Sequence, residues 1–327
     1  MSRPSDRQAE ARRNLAHRQP RRPSARTIVR ATAAACGLGH LVGVGNRLPG
    51  MVIVGAMRAG TTSLFSFLAR HPQVAASFGK EVHYFDLRFH RGPAWYRCQF
   101  RRPRTDTRGD AVGVESSPYY MFDPRVPGRM AALMPDVKLV FLLRDPVERA
   151  FSHYRKNCRD GREPLSFADA LAAEDERLAG EEERMLHDPT YLSGLHQYYS
   201  YAARGRYAEQ LIRWRQHFPT QQMLVIDSAR LFASPAEVLA ELLSFAGLEP
   251  WIPRRFPALN AGQNVMPLDP RVASRLAAMF HPARAAAHRP HRLVSIGNRP
   301  GHGIHTEGSG MTLSRCRHLP THATGGA

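Results

Sequence analysis

The sequence predicts an α/β protein, because three short apolar runs are each followed closely by helix-forming signals. Met51 to Val54 is a continuous apolar run, as in a strand buried on both faces, and Leu64, Phe65 and Leu68 then recur at helical spacing. Val137 to Leu143 is a second such strand; Asp145 behind it is suited to cap a helix and Pro146 to occupy its first turn. Met223 to Ile226 is a third, and beyond it Ser234-Pro235-Ala236-Glu237 reads as a capping box opening a helix that Gly247 closes. At 327 residues the chain can hold one large domain or two small ones with an ample core.

Between the first strand and its helix lies a glycine loop, Gly55 to Thr62. Gly55 and Gly60 permit a tight turn and close backbone approach, so the amides ahead of the helix, with its dipole behind them, can face an anion. A loop for ATP or GTP would read G-x-x-x-x-G-K-[ST], with lysine reaching the terminal phosphates. Here Thr61 holds the lysine position, Thr62 follows, and the nearest cation is Arg58 inside the loop. A strand-to-helix turn that merely needs glycine remains the alternative.

Next comes Lys80-Glu81-Val82-His83-Tyr84-Phe85-Asp86. Alternation in an extended segment places Glu81 and His83 on one face, about 7 Å apart. Such a pair suits proton abstraction from a nucleophile, the imidazole stabilising charge or orienting a reactant. Three other readings stay open: a metal triad of Glu81, His83 and Asp86, an ion pair of Glu81 with an arginine, and a buried, satisfied His83. After a short strand, Ala111 to Val114, comes Glu115-Ser116-Ser117-Pro118-Tyr119-Tyr120, in which Ser-Pro is also an ordinary turn signal. Arg144 falls at the carboxyl edge of the second strand, where open α/β sheets bind ligands, and Ser152 follows just over two helical turns later. An arginine fork with a hydroxyl on the next helix can hold a phosphate dianion; the competing reading pairs Arg144 with Asp145 or Glu148.

These motifs, in this order, resemble the sulfotransferase family that uses 3′-phosphoadenosine 5′-phosphosulfate, in particular the heparan-sulfate-type enzymes and their bacterial relatives. The resemblance runs from about Met51 to Pro282. It implies a three-layer α/β/α fold with a mostly parallel central sheet, like the P-loop nucleotide kinases. It implies that Arg58, Ala59, Gly60, Thr61 and Thr62 hold the 5′-phosphosulfate, and that Arg144 and Ser152 hold the 3′-phosphate. By the same resemblance Glu81 is the catalytic base, Lys80 and His83 line the reaction centre, Arg58 stabilises developing charge, and residues 115–120 lie near the acceptor cleft. The acceptor so implied is a small molecule or glycan, a carbohydrate or glycolipid hydroxyl or an amine, and the scheme requires no metal. A P-loop kinase or NTPase and a catalytically impaired relative are the competing readings.

Residues 1–48 read as a disordered basic arm, 49–283 as the catalytic domain, and 284–327 as an atypical tail without aromatic residues. Family members end in an apolar helix packed on the domain, so this tail departs from the pattern, and no residue can be matched to the loop that covers adenine. The formal charge of +18 invites a nucleic-acid reading until it is located. Residues 1–50 carry ten Arg against Asp6 and Glu10, and residues 281–327 six Arg against Glu307, so most of the excess lies in the tails and no specific nucleic-acid partner is expected. Arg12-Arg13 ahead of Thr32 to Gly45 resembles an export signal, but that stretch runs into the first strand without a cleavage site and is too short and glycine-rich for a membrane span. The cysteines (36, 98, 158 and 316) have no C-x-x-C spacing, so a reducing cytoplasm is the default expectation. Glu181-Glu182-Glu183 reads as a solvated face, and Tyr207, Leu211 and Trp214 as a core stripe.

Overall fold

The computed structural model describes residues 44–45, 47–101, 111–259 and 267–288, with side chains placed up to residue 280. In chain order the strands and helices are β1 (Val44–Gly45), β2 (Met51–Gly55), α1 (Thr61–Leu68), β3 (Val74–Ala76), α2 (Gly92–Arg97), β4 (Phe100–Arg101), β5 (Val112–Ser116), α3 (Val126–Leu133), β6 (Lys138–Leu143) and α4 (Pro146–Arg159). There follow α5 (Phe167–Ala172), α6 (Glu174–Leu178), α7 (Glu181–His187), α8 (Gly194–Tyr198), α9 (Tyr207–Arg215), β7 (Met223–Asp227), α10 (Ser228–Ala233), α11 (Pro235–Ala246) and α12 (Pro270–His288).

Five strands form a parallel sheet in the order β3-β5-β2-β6-β7, flanked by helices; β1 and β4 pair separately and antiparallel. All five residues of β2 are buried, as are Leu139 to Leu142 of β6, which is why both read as unbroken apolar runs. Against them pack Leu64, Phe67 and Leu68 of α1 and Val238, Leu239, Leu242 and Leu243 of α11, forming one core. Because β3 and β5 lie on one side of β2 and β6 and β7 on the other, the chain reverses direction across the sheet at β2. Crevices outside the strand carboxyl ends open at such a point. The loops after β2 and β6 therefore meet there.

A second core is built around α4, where Val147, Phe151 and Tyr154 meet Phe167, Tyr201, Leu276 and Phe280. The apolar closing helix thus exists as α12, which buries Leu276 and Phe280 and crosses residue 283. Its tight fit depends on Gly205: a Cβ there would lie 2.6 Å from the Phe280 ring. The tail beyond residue 288, the basic arm before residue 44 and Cys36 and Cys316 lie outside the described residues.

Phe167 to Met185 forms three short helices, broken at Ala173 and at Gly180 in a left-handed conformation. Two local expectations need correction. Glu181 is buried, accepting hydrogen bonds from Tyr191 Oη and Ser193 Oγ, so this glutamate is a tether for the following loop and not part of a solvated face. Ser234 makes no side-chain cap, although α11 begins at Pro235 and ends at a left-handed Gly247 as expected. Asp227 caps α10 directly before it, so the chain enters α11 from another helix, without the extended residue a capping box uses.

Gly205→Ala should destabilise the protein by about 1–3 kcal/mol in urea unfolding, because the added methyl meets a packed ring. In a Phe280→Leu background the same change should cost less than half as much.

Candidate functional site: an anion cleft at the sheet reversal

A cleft of about 1450 Å³ opens above the carboxyl ends of β2 and β6. Its walls include Arg58, Gly60, Thr61, Thr62, Lys80, Glu81, Arg144 and Ser152, so eight of the ten residues singled out in the sequence face one space. Ala59 is buried beneath the loop, its carbonyl accepting from Ser228 Oγ at 2.8 Å. His83 stands behind Glu81.

The glycine loop gives way to α1 at Gly60, in a left-handed conformation with φ of 96°. No side chain caps α1, so its first amides remain turned toward the cleft mouth. Inside the loop Arg58 is also left-handed, φ 72°, and its Nε donates to Ser152 Oγ at 3.0 Å. The loop after β2 and the helix after β6 are thereby joined by two of the residues assigned to opposite ends of one ligand. Arg144 adds a second link, Nη1 donating to the Arg58 carbonyl at 3.3 Å.

Arg144 also pairs with Glu148 at 2.9 Å, as the competing sequence reading held. Both partners are well exposed, and exposed pairs of this kind contribute about 0–1 kcal/mol. A phosphate dianion with bidentate geometry can displace such a carboxylate. Burial, then repulsion from Arg159, Arg144 and Arg155, pushes the Arg58 guanidinium below its ordinary range. This crowding of like charge is what an anion would relieve.

The expected extended segment around Glu81 is absent. Glu81 and His83 have φ of 65° and 54°, and with Arg58 they are the three non-glycine residues of positive φ among those described. Left-handed backbone at such residues is strained, and strain of this type is kept where surrounding contacts enforce it. The enforcing contacts come from Glu115 to Tyr120. Glu115 is fully buried and takes hydrogen bonds from Tyr96, Ser117 and Tyr120. Ser117 Oγ in turn accepts from the His83 amide at 3.0 Å, and Tyr120 Oη from the Tyr84 amide at 2.7 Å. The Glu81 amide donates to the Ser116 carbonyl at 2.9 Å. Of residues 115–120 only Pro118 lines the cleft; the others serve mainly as the bed on which the Glu81 loop is moulded.

The result is a chain of side chains rather than one shared face. Asp86, itself buried, lies 2.7 Å from His83 Nδ1, and His83 Nε2 lies 3.5 Å from Glu81 Oε2. Lys80 Nζ reaches Glu81 Oε1 at 2.7 Å. Burial alone would lower the His83 imidazolium, but the charge and hydrogen bond of Asp86, with those of Glu81, raise it to about 9. A hydrogen bond from His83, opposed by burial and joined by the charge of Lys80, lowers Glu81 to about 2. At neutral pH Glu81 is therefore a carboxylate and His83 an imidazolium.

Four lining residues carried no sequence signal toward the site. Arg155 and Lys156 on α4 extend the cationic wall, Phe232 lies over Gly60 with half its surface exposed, and Tyr207 donates from its hydroxyl to the Arg144 carbonyl at 2.9 Å. Spacing from Ser152 could have flagged Arg155, one turn further along the same helix.

A sulfotransferase domain family model matches residues 48–252. Among curated proteins, mouse heparan sulfate glucosamine 3-O-sulfotransferase 3B1 is 36% identical over 208 residues, 63% of this chain and 48% of that protein. Human bifunctional heparan sulfate N-deacetylase/N-sulfotransferase 3 is 31% identical over 215 residues, 63% of this chain and 23% of that protein. The chain thus spans about half the length, or less, of these curated relatives. A solved sulfotransferase from Alicyclobacillus acidocaldarius superposes with a TM-score of 0.58 at 29% identity, covering 74% of this chain and 97% of that one.

The His83 imidazole followed by NMR should titrate near pH 9. Its stabilising pairing is complete below the unfolded value near 6.5 and is lost as pH rises through 9. In Asp86→Asn the midpoint should fall by more than one unit, and an unchanged midpoint would remove Asp86 from the relay.

Proposed function

The chain belongs to the sulfotransferase domain family, and we propose that it transfers a sulfuryl group from 3′-phosphoadenosine 5′-phosphosulfate to a carbohydrate hydroxyl. The observation that carries this reading is the Arg58–Ser152 hydrogen bond, which brings the glycine loop and the Arg144 helix together at one cleft. The residues present fit the donor. Gly60 leaves the loop backbone bare, where a Cβ would come within 3.0 Å of Phe232. Thr61 and Thr62 line the cleft at the start of α1, and Arg144 has a weakly held partner that a phosphate can replace. Thr61 in the position of the P-loop lysine argues against ATP chemistry.

In this reading the donor supplies an activated sulfuryl group, and the protein supplies position and charge. Glu81 takes the proton as the acceptor oxygen forms its bond to sulfur and the bond from sulfur to the bridging phosphate oxygen breaks. Arg58, Lys80 and the loop amides stabilise the charge that accumulates on that bridging oxygen, and adenosine 3′,5′-bisphosphate leaves. A carboxylate held near 2 by His83 and Lys80 is a poor base. Recruitment of Lys80 to the phosphosulfate frees one oxygen of Glu81 and raises its proton affinity when the donor is in place. Asp86 keeps His83 protonated and oriented behind the base.

The heparan sulfate relatives support a carbohydrate acceptor; their names cover both oxygen and nitrogen sulfation, and an amine is the second acceptor class for this cleft. Free Cys98 and Cys158 accord with the reducing, cytoplasmic setting that belongs to the same proposal.

Calorimetry should show adenosine 3′,5′-bisphosphate binding at least about tenfold tighter than ADP, with Arg144→Ala losing most of that preference. Equal binding of the two by the wild type would overturn the donor assignment. With a heparan sulfate oligosaccharide mixture as acceptor, Glu81→Gln should slow transfer by about 10² to 10⁴ while leaving bisphosphate affinity nearly unchanged.

A further inference from the structure

Behind the cleft wall made by Pro146, Gly205 and Tyr207 lie two buried guanidiniums that the proposed reaction does not use. Arg149, on the first turn of α4, is fully buried; its Nη2 donates to the Tyr201 carbonyl, while Nε and Nη1 have no hydrogen-bond partner among the described residues. Arg204 is 3% exposed and donates to neutral acceptors, Ser200 Oγ at 2.7 Å, the Gln197 and His196 carbonyls at 2.6 and 3.3 Å, and Met57 Sδ at 3.3 Å. Met57 itself lines the cleft.

The carboxylates near these two residues are occupied elsewhere. Glu174 accepts from the Ala202 and Ala203 amides at 2.7 and 2.8 Å, and Asp123 is paired with Arg125 at 2.7 Å. His153, buried on the same helix, is held neutral by burial and then by the charges of Arg204, Arg149 and Arg58, so the positive field of all three converges there. A buried charge without a carboxylate partner costs stability, and replacing it by an apolar side chain of similar size is often neutral or stabilising. Arg204 also lies over the Tyr119 and Phe122 rings, 4.8 and 5.0 Å from their centroids, and Glu174 lends some charge to both arginines, but neither guanidinium has a carboxylate bonded to it among the described residues, and both stand beside an anion cleft.

We infer that Arg149 and Arg204 are fixed positive charges set behind the donor cleft, which favour an adenine nucleotide with phosphates at both ends over one with a single phosphate. The inference rests on the donor reading above and adds two residues that touch no part of the ligand. Each phosphate monoester carries close to two negative charges at neutral pH, so a distant buried cation attracts the bisphosphate about twice as strongly as the monophosphate. Surface arginines are screened by salt over such distances; these are not.

The test is calorimetry of the full chain at pH 7 with adenosine 3′,5′-bisphosphate and adenosine 5′-monophosphate. In Arg149→Met the preference for the bisphosphate should fall about tenfold, the donor KM should rise with kcat little changed, and the unfolding temperature of the free protein should hold or rise. Glu174→Gln removes the nearby negative charge and should move the preference the other way, widening it about threefold. This second variant decides the matter if Arg149→Met fails to fold. Preferences unmoved in the foldable variants, or both affinities falling by one common factor together with the unfolding temperature, would show a purely structural role and overturn the inference. A wild type with no preference would remove the donor assignment and this inference together, whereas a preferring wild type with unmoved variants removes this inference alone.

Discussion

The site depends on a sheet that reverses at its middle strand. Since β2, β5 and β6 are parallel neighbours, their carboxyl ends lie side by side, and Arg58, the 115–120 bed and Arg144 sit at those ends and in the loops that leave them. Residues nearly a hundred positions apart are then brought within hydrogen-bond reach, as Arg58 Nε and Ser152 Oγ are at 3.0 Å. No local propensity could do this. A parallel arrangement is held by burial on both faces, so the apolar content of β2 and β6 is also what keeps the two anion-binding loops in register.

Strain and scaffolding divide along the same line. The left-handed residues Arg58, Glu81 and His83 all belong to the site; the Glu81 amide is held by the Ser116 carbonyl, and the His83 amide by a buried carboxylate acting through the Ser117 hydroxyl. Glu115 has no charged partner among the described hydrogen bonds; it orients Ser117 and Tyr120 so that both can accept from backbone amides of the strained loop. A fully satisfied buried polar network of this kind fixes geometry more than it adds stability. That is what Glu81, as the proposed base beside an imidazolium and an ammonium, needs, since a shift of about 1 Å would change which of them holds its oxygens.

Much of this was legible in the sequence, and the limits of that legibility have physical causes. Strand β2, the glycine loop, the cap at Asp145 and the placement of Arg144 follow from runs and spacings that are local, so sequence alone suffices for them. The geometry of Lys80 to Asp86 was misread as extended because alternation is a local rule, whereas the actual backbone is imposed by Ser117 and Tyr120 from more than thirty residues away. Glu181 was misread for the same reason: three consecutive glutamates look solvated until Tyr191 and Ser193 fold back on the first. Asp86 entered only as one member of a metal triad, because its pairing with His83 depends on the left-handed turn that alternation cannot foresee. Phe232 and Tyr207 have no local signature of a site at all, one being an exposed ring and the other part of a helical core stripe.

The distribution of charge around the cleft connects these points to function. Burial, reinforced by repulsion from Arg159, Arg144 and Arg155, depresses Arg58, while the carboxylates nearby are paired with other cations: Glu148 with Arg144, Asp160 with Lys156 and Arg162, Glu81 with Lys80. Each of these acidic residues serves as a replaceable counterion for a cation that a phosphate or sulfuryl oxygen would otherwise hold. An anionic ligand gains by exchanging the part-exposed Arg144–Glu148 pair for charge-assisted hydrogen bonds in a less hydrated space. In the proposed reading Glu81 is the base, so drawing Lys80 to an anion would also remove one of the contacts that hold this carboxylate low, the hydrogen bond from His83 being the larger.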